Sequence, residues 1–188
     1  MPPFDFASLI TLLQDHYILY VPAIFLGKIL GLIIPIIPGG IFTLSAVPVI
    51  GWLPAYSIDL AGSVVAANIA YSISGRYGIR VVKKLFGQKI TDKLSSIHVR
   101  PNRTVETAFM LRLAGVSLLS DALIWCAPLL KLPRWRFLLG YHLAHLVTTA
   151  PLFFLTERAI SVNQAGYLLP IALSALILLF FLKGRYFE

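Results

Sequence analysis

Gly27-Lys28-Ile29-Leu30-Gly31-Leu32-Ile33-Ile34-Pro35-Ile36-Ile37-Pro38-Gly39-Gly40 is an apolar run that no smooth helix can follow. Pro35 and Pro38 each lack an amide donor and push the preceding residue away from helical geometry, while Gly39 and Gly40 loosen the backbone beyond them. Two readings remain. One is a kinked helix. The other is a re-entrant hairpin in which Tyr17 to Ile34 descends, Pro35 to Gly40 turns, and Ile41 to Pro54 returns to the same side. Non-helical backbone inside a bilayer is tolerated only where protein buries it or a water-filled cavity meets it. Pro35, Pro38, Gly39 and Gly40 are therefore candidate binding-site residues as well as a topological break.

The run sits in a chain suited to lipid. Of its 188 residues 58% are hydrophobic and 13% charged, about half the charge of an ordinary soluble domain. The apolar residues come in blocks: Tyr17 to Pro38 carries only Lys28, and Gly140 to Thr156 and Gly166 to Leu182 carry no Asp, Glu, Lys or Arg. Blocks of about 17 residues reach the lower limit for crossing a hydrocarbon core. An integral, multi-pass membrane protein is expected, in the inner or plasma membrane if the source is prokaryotic. The net charge of +8 needs no nucleic-acid partner, because basic clusters at span ends are what the positive-inside rule produces. The N-terminus has neither a basic n-region nor a small-residue cleavage site. The first retained apolar segment is then expected to drive insertion. A single cysteine, Cys126, leaves no intramolecular disulfide and no multi-cysteine metal site.

Further along, Asp59 to Gly75 reads as a span rich in Gly, Ala and Ser, residues that let helices approach closely in lipid. Residues 76–104 form a basic linker, with an amphipathic helix expected to lie on an anionic membrane surface. Val105 to Leu130 is apolar but broken by Arg112, Gly115, Asp121 and Pro128, a second candidate hairpin. Phe137 to Leu155 follows as a span, Thr156 to Gln164 as a polar turn, and Ala165 to Leu182 as a last span. With residues 76–104 in the cytoplasm and both broken blocks re-entrant, the clusters at Lys131 to Arg136 and Lys183 to Arg185 also become cytoplasmic. Asp5, Asp15, Asp59 and Glu157 then lie on the opposite side. The expected fold is an all-α, single membrane domain: an inverted repeat of two hairpins, 17–75 and 105–155, each with its span, plus the linker and a C-terminal span at 165–182.

Three places in the chain resemble the DedA family, also known as VTT-domain or SNARE-associated Golgi proteins. The first is Pro35-Ile36-Ile37-Pro38-Gly39-Gly40, similar to that family's Pro-x-x-Pro-Gly turn. The second is Gly62 through Asn68 and Tyr71 to Gly75-Arg76-Tyr77-Gly78, like its small-residue helix. The third joins Leu111-Arg112-Leu113, Asp121 to Trp125, Leu132-Pro133 and Arg136-Phe137-Leu138-Leu139-Gly140. The resemblance covers about Leu26 to Leu143. It implies a flippase or scramblase for anionic phospholipids or polyprenyl-phosphate carriers, working through paired re-entrant hairpins. It departs from the family at Gly27-Lys28 and Gly40, where no carboxylate stands, and this argues against proton coupling through those positions.

Arg112 and Asp121 are the most informative charges, since an isolated charge in an apolar block costs roughly 2.5 to 3.5 kcal/mol on insertion scales. Arg112 is suited to gripping a phosphate with its planar donors, with Asp121 as its partner in the empty site. The bland alternative is a salt bridge that fixes the hairpin. Lys28 adds a second cation or snorkels to an interface. His142 and His145, three residues apart, share a helical face and suit a proton relay or, more commonly, interhelical hydrogen bonds. No third ligand suggests a metal, and no cofactor is expected. Asn68 and Tyr71 offer further polar contacts or packing. Trp52, Trp125, Trp135, Tyr56 and Tyr141 read as interfacial belts. No nucleophile elbow, phosphate-binding loop or zinc motif is present, so transport is expected rather than catalysis. Alternatives to lipid transport are a small-solute or ion transporter and a non-transporting membrane scaffold. Membrane lipids with anionic headgroups are the expected partners, and an oligomer is compatible with the sequence.

Overall fold

The computed structural model describes residues 6–34, 39–88, 92, 103–114 and 123–161. Among these there is no strand, and eight helices carry the fold: α1 (Phe6–Asp15), α2 (Tyr17–Ile33), α3 (Gly40–Leu44), α4 (Val47–Ile50), α5 (Trp52–Tyr77), α6 (Ile79–Phe86), α7 (Thr104–Ala114) and α8 (Arg134–Ser161). Two of them, α5 and α8, are long and apolar enough to cross a membrane. The α1–α2 pair, bent by 96°, adds a third if counted as one span. Asp121, Pro35, Pro38 and the expected span at 165–182 lie outside the described residues.

The chain doubles back after α2. A Cβ on Gly39 would come within 2.9 Å of the Lys28 carbonyl, and one on Gly27 within 2.9 Å of the Phe42 ring. Farther along, the Gln14 amide donates to the Val49 carbonyl at 3.0 Å. Later residues thus meet earlier ones in descending order, and α3 and α4 return along α2. The return is two short helices rather than one from Ile41 to Pro54. It ends at Gly51, whose φ of +81° is a conformation glycine adopts without a Cβ penalty.

That turn sets the start of α5 seven residues earlier than the sequence suggested. Pro54 falls in the first helical turn, where its missing donor costs nothing. The orphaned amide of Trp52 donates to Glu157 Oε1 at 3.0 Å. Asp59, expected at a membrane surface, is thereby carried two turns into the span. Ala55, Tyr56, Asp59, Gly62, Ser63, Ala66, Ala67, Ala70 and Ser74 form its buried face. Similarly α8 extends beyond Phe137–Leu155 at both ends, with Pro151 inside it, so the expected polar turn is helical at least through Ser161. The basic linker contains α6, which closes at Gly87 (φ +82°), with Arg80, Lys83 and Lys84 exposed and Val82 buried.

Helix directions follow from the contacts. The α5 and α8 spans are antiparallel: Trp52 meets Glu157, Tyr56 packs edge-on to Phe153 with centroids 5.8 Å apart, and Asn68 Oδ1 accepts from Arg134 Nη2 at 2.9 Å. In contrast, α2 runs parallel to α5, with Ile24 clustered with Tyr56, Lys28 against Asp59, and Leu32 clustered with Ala66 and Ala67. The α7–α8 pair is also parallel. Gly140 meets Val105 and Ala108, and five residues later on α8 His145 meets Arg112. Between α7 and α8 the chain therefore travels back, through a helical turn at residues 123–126 whose Trp125 and Cys126 are buried.

Candidate functional site

Lys28 (α2), Asp59 (α5), Arg112 (α7) and His145 (α8) are 7%, 0%, 9% and 2% exposed, and they form one connected chain. Lys28 Nζ lies 2.7 Å from Asp59 Oδ1. The Thr43 hydroxyl, from α3, donates to the same oxygen at 2.6 Å. His145 Nε2 is 2.7 Å from Asp59 Oδ2, and Arg112 Nη2 is 2.7 Å from His145 Nδ1. Thr149 Oγ1 approaches that same Nδ1 at 3.1 Å. The Arg112 guanidinium lies over the Tyr141 ring, 3.9 Å from its centroid, a separation at which cation–π attraction contributes.

Glycines make these approaches possible. A Cβ on Gly62 would come within 2.7 Å of Lys28 Cγ, so Lys28 reaches Asp59 only because its stem lies flat against a bare stretch of α5. Gly140 plays the same part in the second half, where a Cβ would collide with the Val105 carbonyl and press on Ala108. The parallel helices α7 and α8 are drawn together one turn from Arg112. Small residues at such crossings are how membrane helices gain contact where lipid is as apolar as the protein.

Hydrogen-bond chemistry fixes the protonation pattern. A carboxylate only accepts, so His145 Nε2 carries the proton it shares with Asp59. A guanidinium only donates, so Nδ1 presents its lone pair to Arg112. His145 is the neutral Nε2–H tautomer, and Asp59 takes donors from Lys28, Thr43 and His145 at once. Every link is charge-assisted, the stronger kind of hydrogen bond. The chain sits at mid-height of α8, about 17 Å from its N-terminal end. Around it are buried polar atoms with no hydrogen-bond partner among the described residues: the Ser63 and Tyr56 hydroxyls, flanking Asp59 on α5, and both ring nitrogens of His142.

The candidates from sequence separate into those that meet and those that do not. Lys28, Arg112 and His145 are joined, His142 is adjacent on the same helix, and Gly39 and Gly40 begin the return limb that brings Thr43 in; Gly40 also accepts from Thr43 through its carbonyl at 3.2 Å. Asn68 and Tyr71 lie three turns away, toward the other end of α5. There Asn68 holds Arg134, and the Tyr71 hydroxyl donates to the Leu132 carbonyl at 2.6 Å, an interhelical tie. Arg112 meets His145, and Asp121, its expected partner, lies outside the described residues. Trp125 and Tyr141 are buried rather than interfacial, Tyr141 because it floors the guanidinium; Trp135, 75% exposed, does suit a belt. Sequence reasoning missed Asp59 and Thr43. Asp59 left a signal, since with Gly62, Ser63, Ala66, Ala70 and Ser74 it recurs every three or four residues, on the face the small residues mark as buried.

No group of three or more His, Cys, Asp or Glu residues able to hold a metal ion occurs among the described residues. No protein-family model matches the chain, and no curated protein or solved structure matches it.

Proposed function

We propose that this chain is a membrane transport protein of the DedA or VTT-domain type. It conducts the anionic headgroup of a phospholipid or polyprenyl-phosphate lipid past Lys28 and Arg112 while the acyl chains stay in the bilayer. One observation carries the reading: two cations, from the entering helices of two chain reversals, are buried together against the long helices α5 and α8. Burying charge in a membrane is expensive, and such residues mark substrate paths by default. The contact directions support an inverted repeat. In each half an entering helix lies parallel to its span, and the two spans are antiparallel. Discontinuous helices at the interface between repeats are where transporter sites form. In this arrangement residues 76–104 are cytoplasmic, and Arg80, Lys83 and Lys84 face anionic lipid.

A second reading, transport of a small anionic solute, is favoured by how deeply Asp59 and His145 are buried, since no side opening toward lipid is needed to reach them.

The test uses purified protein in liposomes carrying a headgroup-labelled anionic phospholipid, with an impermeant quencher outside. Lipid conduction requires quenching beyond the outer-leaflet share, reduced to the protein-free level by Arg112→Ala. Quenching confined to the outer leaflet, with folded protein in the vesicles, would reject movement of that lipid and turn attention to solute anions.

A further inference from the structure

We propose that Ser63 and His142 form a subsite for a free hydroxyl on the transported anion, as in a glycerol phosphate headgroup. The inference rests on the anion-transport reading above and narrows its substrate class.

Position comes first. Ser63 lies one turn beyond Asp59 on α5, and His142 lies one turn before His145 on α8. The helices are antiparallel and joined by the Asp59–His145 bond, so both steps lead the same way. The two residues therefore share a level between that bond and the Asn68–Arg134 tie. Each also has a cation nearby. The Lys28 stem lies against Gly62, the neighbour of Ser63. The Arg112 guanidinium lies over Tyr141, the neighbour of His142. Their charge reaches an anion at this level whatever other bonds the two cations keep.

The polar atoms of both residues are left over from the fold. A serine inside a helix commonly bonds back to a carbonyl one turn earlier. Ser57 and Ser72 of the same helix do so, to Leu53 and Asn68. Ser74 donates across to the Trp125 carbonyl. Ser63, 1% exposed, does neither, and its hydroxyl has no hydrogen-bond partner among the described residues. Both ring nitrogens of His142 are buried in the same condition. A buried polar atom left unpaired is costly, so a ligand that pairs it gains what the empty protein lacks.

Hydrogen-bond chemistry selects the ligand. An uncharged imidazole offers one donor and one acceptor, and a serine hydroxyl offers both. An oxyanion only accepts and leaves the imidazole lone pair unanswered. An ammonium only donates, and Lys28 and Arg112 repel it. A hydroxyl donates to one partner while accepting from the other, so a single atom answers Ser63 and one imidazole nitrogen together. With two cations alongside, that hydroxyl belongs on an anion whose phosphate the cations attract.

The experiment is native mass spectrometry of the full chain in detergent, with equimolar phosphatidylglycerol and phosphatidylethanol of the same acyl chains. Both are phosphodiesters of equal charge, and only the first carries headgroup hydroxyls. The chain should retain phosphatidylglycerol about tenfold more, the worth of one or two net hydrogen bonds. Ser63→Ala and His142→Phe should each bring that ratio toward one. Without ligand, Ser63→Ala should unfold at no lower temperature than the unsubstituted chain, since it deletes an unpaired hydroxyl. Equal retention of the two lipids overturns the inference whether or not the protein transports either. So does a preference that survives both variants, or a loss of stability in ligand-free Ser63→Ala. Free glycerol phosphate and ethyl phosphate form a second arm. A preference confined to that pair upholds the hydroxyl subsite and rejects the lipid as its source. Retention of no ligand in either arm rejects the anion reading and the inference with it.

Discussion

Asp59 Oδ2 and His145 Nε2, 2.7 Å apart, join the two long spans at the point where each also meets a cation from its own half. Asp59 holds Lys28 of the parallel helix α2, and His145 holds Arg112 of the parallel helix α7. The two arrangements correspond: a cation on an entering helix, its acceptor on the following span, and a glycine on that span where the helices touch. One hydrogen bond between those two acceptors joins the two arrangements.

Removing the shared carboxylate should therefore be severe. Asp59→Ala strands Lys28 in the interior, and breaking a buried pair from one side costs about 3–5 kcal/mol. The double variant Asp59→Leu with Lys28→Met removes both charges and should recover most of that loss. Thermal unfolding in detergent reads the recovery. The same double variant should stay inactive in the liposome assay, separating stability from function.

The two glycines should not be equally tolerant. Alanine at Gly62 meets Lys28 Cγ, the flexible stem of a side chain, and overpacking of this kind costs about 1–3 kcal/mol. Alanine at Gly140 meets the Val105 carbonyl, which is backbone and cannot turn aside. Gly140→Ala should lower the unfolding temperature more than Gly62→Ala. The reverse order would mean that α7 shifts along α8 more freely than its contacts suggest.

Glu157 closes one end of the α5–α8 seam by taking the Trp52 amide, the service a helix N-cap normally provides from within its own chain segment. Glu157→Ala should cost about 1 kcal/mol, in the range of lost caps. Glu157→Gln keeps a carbonyl acceptor and should restore most of it. If glutamine is as damaging as alanine, the negative charge rather than the hydrogen bond matters there.

The proposed inverted repeat, with its antiparallel spans, predicts sidedness. Cysteines placed at exposed Leu12 and at Glu157 should react with an impermeant thiol reagent from one side of the membrane, and cysteines at exposed Gln88 and Arg103 from the other. Cys126 is buried and should stay silent. Labelling of Glu157 and Arg103 positions from the same side would reject the proposed inverted repeat.

How far the sequence could be read depended on how local each signal was. Proline and glycine at 35–40 announced a break because their effect is written into single residues, and Lys28 and Arg112 stood out as charges in apolar blocks. Asp59 was misplaced because the return limb was carried on to Pro54 and the span begun only at Asp59. Pro54 is harmless in a first turn, and the cap for that turn comes from Glu157, more than a hundred positions away. The contact of Arg112 with His145 was equally hidden. His145 becomes its neighbour only when α7 and α8 run parallel. Trp125 and Tyr141 were assigned by residue type, and the packing of the return limb and the guanidinium decided otherwise.

The Lys28–Asp59 pair has a consequence for how such a chain enters the membrane. Both partners are present once α5 has been made, so the first half can settle in lipid with its ion pair already closed and its Thr43 bond in place. Within that cluster, Asp59 Oδ2 then awaits a donor. His145, arriving later in synthesis, completes that oxygen, and the first half acts as the mould against which the second is set.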